Sequence, residues 1–432
     1  MARILVLGAG FVAGPLVSVL MRDPKNELTL ASQFLQEAEK LAAGRSRVNA
    51  AEVNVQDASQ LGQLVAEHDV VVSLVPYQFH VLVARQCIAH RRHLVTASYE
   101  NAEIKALNAE AKSVGITILN EIGLDPGIDH LSAMKIIDEV HAEHGKVLAF
   151  ESWCGGLPSP ASNNNPFGYK FSWAPRSVLQ ALLNSATYLK DGELIRIPAE
   201  NLLRNPVALE VGERLQLEGY PNRDSVGYRE VYGLREVQTM LRGTLRYPGF
   251  CAMLDECKAV GLLDVTPNAM LQPGQPPLSW HDWLAAAMTV NNIKVLSLET
   301  EQALAWLGVK GDKPMPQLGT VIDAFCQELL AKLRYAPGET DMVVLQHRFL
   351  IQRSNGEREW RYSTLICEGE PNGPTAMAKT VGIPCALAVQ LLLDGGIARR
   401  GSILPVTPEI YQPILTQLGN EGIRCEESVL MA

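Results

Sequence analysis

Three stretches of the chain concentrate side chains that can move protons. They are Val75-Pro76-Tyr77-Gln78-Phe79-His80, the pair Ser98-Tyr99, and Asn120-Glu121-Ile122-Gly123-Leu124-Asp125-Pro126-Gly127-Ile128-Asp129-His130. Each follows a short apolar run, so all three are expected beyond the carboxyl ends of parallel strands, where open α/β sheets hold their ligands. Tyr99 and Asp125 are the acid-base candidates, since a phenol and a carboxylate can each exchange a proton with a reacting nitrogen or oxygen. Asp125 can equally start the Pro126-Gly127 turn, and Ser98 and Tyr99 can be ordinary strand-end hydroxyls. His80 reads as a helix-start or core histidine rather than an acid-base group. Asp129 and His130 read as the opening of the next helix. Further on, Cys154-Gly155-Gly156-Leu157-Pro158 follows a strand. Its glycines would let backbone approach a ligand, and Cys154 is a weaker catalytic candidate with inert packing as the alternative. Arg223 in Tyr220-Pro221-Asn222-Arg223-Asp224-Ser225, and two more arginines in Arg242-Gly243-Thr244-Leu245-Arg246-Tyr247, form either a carboxylate-binding set or a surface charge cluster. The first alternative suggests a substrate with several carboxylates.

At the start of the chain, Gly8-Ala9-Gly10-Phe11-Val12-Ala13 sits between an apolar strand and a helix. The first glycine allows a tight turn, the second lets backbone approach a pyrophosphate, and Ala13 permits close packing of helix on strand. The helix N-terminus adds N–H groups and a partial positive charge for the phosphates. A nicotinamide dinucleotide is therefore the expected cofactor. The second strand ends Leu30-Ala31-Ser32-Gln33, with neither a carboxylate to bind a ribose 2'-hydroxyl nor an Arg to clamp a 2'-phosphate. NAD and NADP both stay open, and Ser32 can equally cap the helix that starts near Phe34. Asp57, after the third strand, is placed either near the adenine or as a surface helix cap.

The elements that must position these residues follow from periodicity. From Arg3 to Leu119, strand patterns at residues 4–7, 28–32, 48–53, 70–74, 94–97 and 117–119 alternate with amphipathic stretches such as 34–44 and 81–90, as a doubly wound parallel sheet requires. After Asp129 the texture changes. Residues 148–152, 215–217, 343–353 and 359–368 look like strands of a second, antiparallel sheet, and residues 254–333, broken by the Pro-rich 272–277, look helical. Two amphipathic helices, 377–393 and 408–419, could return to cover the first domain. The expected fold is α/β: a Rossmann-type doubly wound parallel sheet (residues 1–128 with 375–432), an α+β substrate-binding and dimerisation domain (129–253 with 334–374) and a helical insertion (254–333).

Composition narrows the function. A chain of 432 residues can bury two or three cores, and a formal net charge of -9 disfavours binding to a phosphate backbone, so no nucleic-acid partner is expected. Eight cysteines without a CxxC pair indicate neither a disulfide framework nor a structural zinc site, and no metal is expected. The most apolar stretch, residues 4–21, is interrupted by glycines and Pro15, which argues against a membrane span. No signal-peptide pattern is readable, and a cytoplasmic location is expected.

The ordered motifs GAGFVAGP, SLVPYQFH, VTASYEN, NEIGLDPGIDHL, CGGLPSP, NPFGYKFSW, GYPNRDS, RGTLRYPGF, MVVLQH and TAMAKTVGIP run nearly end to end. On them the chain closely resembles the family of saccharopine dehydrogenases (L-glutamate-forming), also called saccharopine reductases. The resemblance implies a pyridine-nucleotide-dependent interconversion of saccharopine with L-glutamate and 2-aminoadipate 6-semialdehyde in lysine metabolism, a three-part architecture and a homodimer. It implies that Gly8, Gly10, Phe11, Val12, Ala13, Ser32, Gln33, Val75, Pro76 and Trp173 line the cofactor site. It further implies that Ser98, Tyr99, Asp125, Arg223, Thr244, Leu245 and Arg246 hold the substrate, with Tyr99, Asp125 and Cys154 as the catalytic candidates. One departure is that NADP-using fungal relatives carry an Arg after the second strand, where this chain has Ser32-Gln33 as the NAD-linked fused enzymes do. Two other readings compete: a carboxyalkyl-polyamine dehydrogenase, whose substrate offers fewer carboxylates for Arg223 and Arg246, and a non-catalytic NAD(P)-binding regulatory protein.

Overall fold

The structure, a computed structural model, describes residues 1–212 and 215–432. It divides into two compact units, Met1–Gly145 with Pro374–Glu426 and Lys146–Gly373 with Glu427–Ala432. The chain first builds β1 (Ala2–Leu7), α1 (Ala13–Leu20), β2 (Asn26–Ser32), α2 (Leu35–Ala42), β3 (Val48–Glu52), α3 (Ala58–Ala66), β4 (Val70–Ser73), α4 (His80–His90), β5 (His93–Thr96), α5 (Ala102–Ala106), α6 (Asn108–Ser113), β6 (Thr117–Leu119) and α7 (Ile128–Ala142). The second unit follows with β7 (Lys146–Pro158), α8 (Pro175–Ala181), β8 (Ala186–Lys190), β9 (Glu193–Ile197), β10 (Val207–Val211), β11 (Leu215–Pro221), α9 (Tyr228–Val231) and β12 (Thr239–Arg246). It continues with α10 (Phe250–Val260), α11 (Trp280–Val290), α12 (Leu298–Leu307), α13 (Val321–Lys332), β13 (Asp341–Gln352) and β14 (Arg358–Glu368). The first unit is then completed by α14 (Ala376–Leu393), β15 (Gly401–Ile403) and α15 (Pro408–Asn420), and β16 (Glu426–Met431) closes the chain.

In the first unit the described strands form a seven-stranded sheet in the order β15-β6-β5-β4-β1-β2-β3. All six pairings are parallel. Ile4 to Leu7 and Val70 to Val72 have no exposed surface, because a parallel sheet carries helices on both faces and its strands read as continuous apolar runs. The six strands expected from the sequence are present with ends shifted by up to two residues, and β15 is an addition. Its three residues are too few to show a period. The strand order reverses between β1 and β4, which opens a crevice beyond the carboxyl ends of the strands.

The C-terminal helices do return to this unit. At Gly382 of α14 a Cβ would lie 2.6 Å from the Val12 carbonyl oxygen and 3.0 Å from the Leu16 nitrogen, so the absence of a side chain there is what lets α14 sit against α1. α14 is long and apolar enough to cross a bilayer, yet 67% of it is buried inside the protein, as befits a core helix.

The second unit departs further from expectation. Its described strands form a nine-stranded sheet, with β10-β11-β12-β7-β13-β14-β16 in order, β8 pairing with β12 and β9 pairing with β8. The sheet is mixed rather than antiparallel, because β12 pairs in parallel with β7. β7 runs for 13 residues, so Cys154-Gly155-Gly156 lies inside a strand and not after one. Residues 254–333 do not form a core of their own: Leu254, Trp280, Leu304 and Phe325 share one apolar cluster with Phe167, Tyr169, Phe171 and Leu202. The boundaries move as well. α7 belongs to the first unit and the terminal residues 427–432 to the second.

Gly382→Val is expected to destabilise the protein by about 1–3 kcal/mol, the usual cost of overpacking a close contact. Urea unfolding measures it as a lower midpoint at unchanged slope, and a midpoint at or above that of the wild type would show that α1 and α14 separate without loss.

Candidate active site

The glycine turn of the first unit has the features a pyrophosphate needs. Gly8 adopts φ +107°, and a Cβ there would come within 3.0 Å of the Leu74 carbonyl oxygen of the strand-four crossover. A Cβ on Gly10 would meet nothing within 4 Å, so the second glycine faces open space. Val12, the N-cap of α1, provides no side-chain cap, which leaves the helix terminus for an external acceptor. Ala13 is fully buried and Phe11 is 60% exposed. Val75 and Pro76 follow β4, and the Leu74 N–H bonds the Leu7 carbonyl at 2.8 Å, holding that segment beside the turn. These residues fit a dinucleotide. Ser32 is buried and its Oγ accepts from the Phe34 N–H at 3.2 Å, so it shapes the entry to α2, while Gln33 beside it is exposed. Asp57 caps α3 through the Ser59 and Gln60 N–H groups.

Beyond β4 and β5 a buried histidine ties two hydroxyls together. His80 is the first residue of α4 and only 1% exposed, so it is both the helix-start and the core histidine expected. Its Nδ1 lies 2.8 Å from Ser73 Oγ and its Nε2 lies 2.7 Å from Ser98 Oγ. Burial lowers its pKa to about 4. The neutral ring must accept from one serine and donate to the other, which fixes the Ser98 hydroxyl without adding charge. Ser98 is held a second time, its N–H donating to Thr96 Oγ1 at 3.2 Å.

Beyond β6, Tyr99 Oη donates to Asp125 Oδ1 at 3.0 Å, bringing the two acid-base candidates into direct contact. Asp125 precedes a cis proline bond in a loop closed by Gly123 N–H to Pro126 O at 2.9 Å and Ile128 N–H to Gly123 O at 2.9 Å. Gly127 has φ +149°. A Cβ there would fall 2.0 Å from the Gly123 carbonyl oxygen, so only glycine closes this loop. The Gly127 N–H donates to Asp129 Oδ1 at 2.6 Å. Glu121 braces the loop from below: its Oε2 is 2.7 Å from His130 Nε2 and its Oε1 accepts from the Glu100 N–H at 2.9 Å. The supporting roles of His80, Glu121 and His130 were not readable from the sequence, whose only hint was their clustering in the same three stretches.

In the second unit two of the three candidate arginines are interior rather than part of a surface cluster: Arg242 is 4% and Arg246 5% exposed. Both belong to β12, where Arg242 is in register with Ser152 and Thr244 with Cys154 on β7. The Arg246 guanidinium lies 5.0 Å from the Tyr169 ring, 6.0 Å from Tyr220 and 5.2 Å from Phe250. One Nη donates to the Leu245 carbonyl at 2.7 Å, and the buried Nε has no partner. Glu218, opposite Arg246 on β11, is engaged elsewhere. Its carboxylate accepts from the Gly249 and Cys251 N–H groups at 3.1 and 2.6 Å, at the start of α10. Leu245 points the other way, fully buried in an apolar cluster with Trp153 and Leu157, so only its backbone faces Arg246. Arg223 is exposed with the left-handed φ +53°, and Cys154 is buried within β7. Trp173 belongs to this unit, half-buried against the helical core.

Residues 4–119 match the saccharopine dehydrogenase NADP binding domain and residues 123–423 the saccharopine dehydrogenase C-terminal domain. The saccharopine dehydrogenase [NADP(+), L-glutamate-forming] of Schizosaccharomyces pombe is 39% identical over 447 residues, covering 100% of this chain and 99% of that one. The mitochondrial alpha-aminoadipic semialdehyde synthase of Bos taurus is 39% identical over 98% of this chain, which spans 47% of that longer protein. The apo saccharopine dehydrogenase (L-Glu forming) of Saccharomyces cerevisiae superposes with a TM-score of 0.90 at 37% identity, with 100% of both chains covered.

His80 gives a pH test of this pair of histidine–serine contacts. Its folded pKa of about 4 is below the ordinary 6.5, so its contribution is fully present above pH 6.5 and is lost as pH falls towards 4. Denaturant unfolding from pH 7 to pH 4 is expected to show the wild type losing on the order of 3 kcal/mol more than His80→Gln over that window. Parallel curves for the two proteins would show that the imidazole is not held neutral.

Proposed function

The chain belongs to the saccharopine dehydrogenase family, and from that premise we propose the roles its residues play in the reaction. It is an NAD(P)-dependent oxidoreductase that interconverts saccharopine with L-glutamate and 2-aminoadipate 6-semialdehyde. Saccharopine is a secondary amine with three carboxylates. The observation that carries the assignment of roles is Arg246: a guanidinium cannot give up its proton, and here it is buried among three aromatic rings with its Nε unpartnered and no carboxylate paired to it among the described residues. Such a charge is costly until an anion reaches it. A substrate carboxylate is that anion. Arg223 is the second guanidinium for this purpose, and Thr244, half-buried on the same face of β12, adds a hydroxyl.

The dinucleotide, when bound, supplies the acceptor for the hydride on the carbon beside the amine. The chain's own groups handle protons and water. The amine must be neutral before that carbon can lose hydride. The imine that results must then take up water, and its nitrogen must gain a proton before the carbon–nitrogen bond breaks. Asp125, oriented by the Tyr99 hydroxyl on its Oδ1, is the group that holds a proton for these steps. Ser98, fixed by His80, offers a neutral hydroxyl at the carboxyl ends of the strands. Cys154 is buried inside β7 and keeps the weaker role of lining. The proposal extends to a homodimer, and to a reducing compartment such as the cytoplasm, the latter supported by eight cysteines none of which forms a disulfide among the described residues.

Arg246→Gln is expected to lower kcat/KM for saccharopine by about thirtyfold or more, roughly 2 kcal/mol, the lower range for a buried charged contact. The same substitution should leave the ligand-free protein at least as resistant to denaturant, since it removes an uncompensated charge. A kcat/KM within about threefold of the wild type would rule out Arg246 as the carboxylate anchor, and no absorbance rise at the NAD(P)H band with saccharopine and either nucleotide would remove the reaction itself.

A further inference from the structure

The cofactor domain leaves the choice between NAD and NADP to the groups around the adenine ribose. In a doubly wound sheet this ribose lies at the carboxyl end of the second strand. β2 ends at Ser32, where the sequence shows no carboxylate. The structure supplies one from the helix after that strand. Ser32 Oγ donates to Glu37 Oε2 at 3.3 Å, because Glu37 sits in the first turn of α2, one helical turn from its N-cap Phe34. We propose that Glu37 selects NAD over NADP in this chain, its carboxylate accepting from the ribose 2'-hydroxyl and repelling a 2'-phosphate. This role rests on the assignment of the first unit as an NAD(P) site.

The neighbourhood of Glu37 supports it. Ser32 is 7% exposed, its oxygen accepts from the Phe34 N–H and its proton goes to Glu37, so its hydroxyl is not on offer to a phosphate. Glu52 is in register with Ser32 on the edge strand β3 and exposed, which brings a second carboxylate to the same strand end. The segment that follows β2 offers a 2'-phosphate no cation. Residues 32–39 contain no Lys or Arg, and Lys40, in the last turn of α2, makes no ion pair with Glu37 among the described residues. A 2'-phosphate would bring close to two negative charges against an uncompensated carboxylate, with only the weak positive end of α2 to offset them. The simpler role for Glu37 is to complete the cap of α2, as an acidic residue at the third helical position often does. Glu37→Gln separates the two roles, since glutamine keeps the hydrogen-bonding capacity and removes only the charge.

Calorimetric titration of the full chain with NAD and with NADP tests the proposal without any turnover. The wild type is expected to bind NAD about tenfold or more tightly than NADP, and raising the salt should narrow that ratio by screening the repulsion. Glu37→Gln should shrink the ratio severalfold, through tighter NADP and weaker NAD binding. NADP binding as tight as NAD in the wild type overturns the proposal, and an unchanged ratio in Glu37→Gln assigns Glu37 to the helix cap alone. If neither nucleotide binds, the cofactor reading falls with it. Saccharopine turnover with the nucleotide that binds is a separate measurement, so failure of the reaction and failure of the selectivity are told apart.

Discussion

β1 pairs in parallel with β2 on one side and with β4 on the other, and the chemistry of the first unit is arranged by that constraint. Parallel neighbours cannot be joined by tight turns, so each strand returns by a crossover and all the strands end along one edge of the sheet. The reversal of order at β1 parts the crossovers on its two sides and leaves room for a ligand over the strand ends. Gly8 occupies that gap, too close to Leu74 to carry a side chain without strain. The ends of β4, β5 and β6 then deliver Pro76, Ser98, Tyr99 and Asp125 in sequence along the same edge, which is why three short stretches distant in the chain come together.

The second unit solves a different problem. β12 carries two interior arginines, Arg242 and Arg246, on one strand, and burying a cation is unfavourable unless something answers its charge. Aromatic rings answer part of the charge of Arg246, since the negative faces of Tyr169, Tyr220 and Phe250 surround it. A carboxylate is near in the strand pairing, but Glu218 is committed to the backbone N–H groups at the start of α10. Had Glu218 turned to Arg246 instead, the unit would gain an internal ion pair and lose a binding group. In the role proposed for Arg246, the fold carries the cost of a charge that no carboxylate answers among the described residues and recovers it when a substrate carboxylate binds.

Legibility in the sequence followed the range of the interactions involved. The glycine turn and the six strands of the first unit were readable, because apolar runs, glycine spacing and helix starts are local signals. β15 was not, because three residues gain their identity only by pairing with β6. The parallel step between β12 and β7 is likewise a property of two segments far apart in the chain, and the length of β7 turned the Cys154-Gly155-Gly156 segment from an expected loop into strand interior. Arg242 and Arg246 were legible as arginines but not as buried ones, since charge in a sequence says nothing of depth. Glu37 escaped because a carboxylate was sought at the strand end itself, whereas the next helix folds it back to Ser32.

His80 and Arg246 show why burial alone does not mark a functional residue. Both are interior, and both sit next to groups proposed to meet the substrate. The imidazole responds to burial by losing its proton, its pKa lowered to about 4, and as a neutral ring it finds both of its partners within the protein, in Ser73 and Ser98. Its role is thereby closed inside the fold: it positions a hydroxyl and asks nothing of a ligand. The guanidinium has no such route, because its proton is held at any pH at which the protein folds. What burial leaves unsatisfied on Arg246 can be satisfied only from outside the chain, and that difference in acid strength is what separates a positioning residue from a binding one.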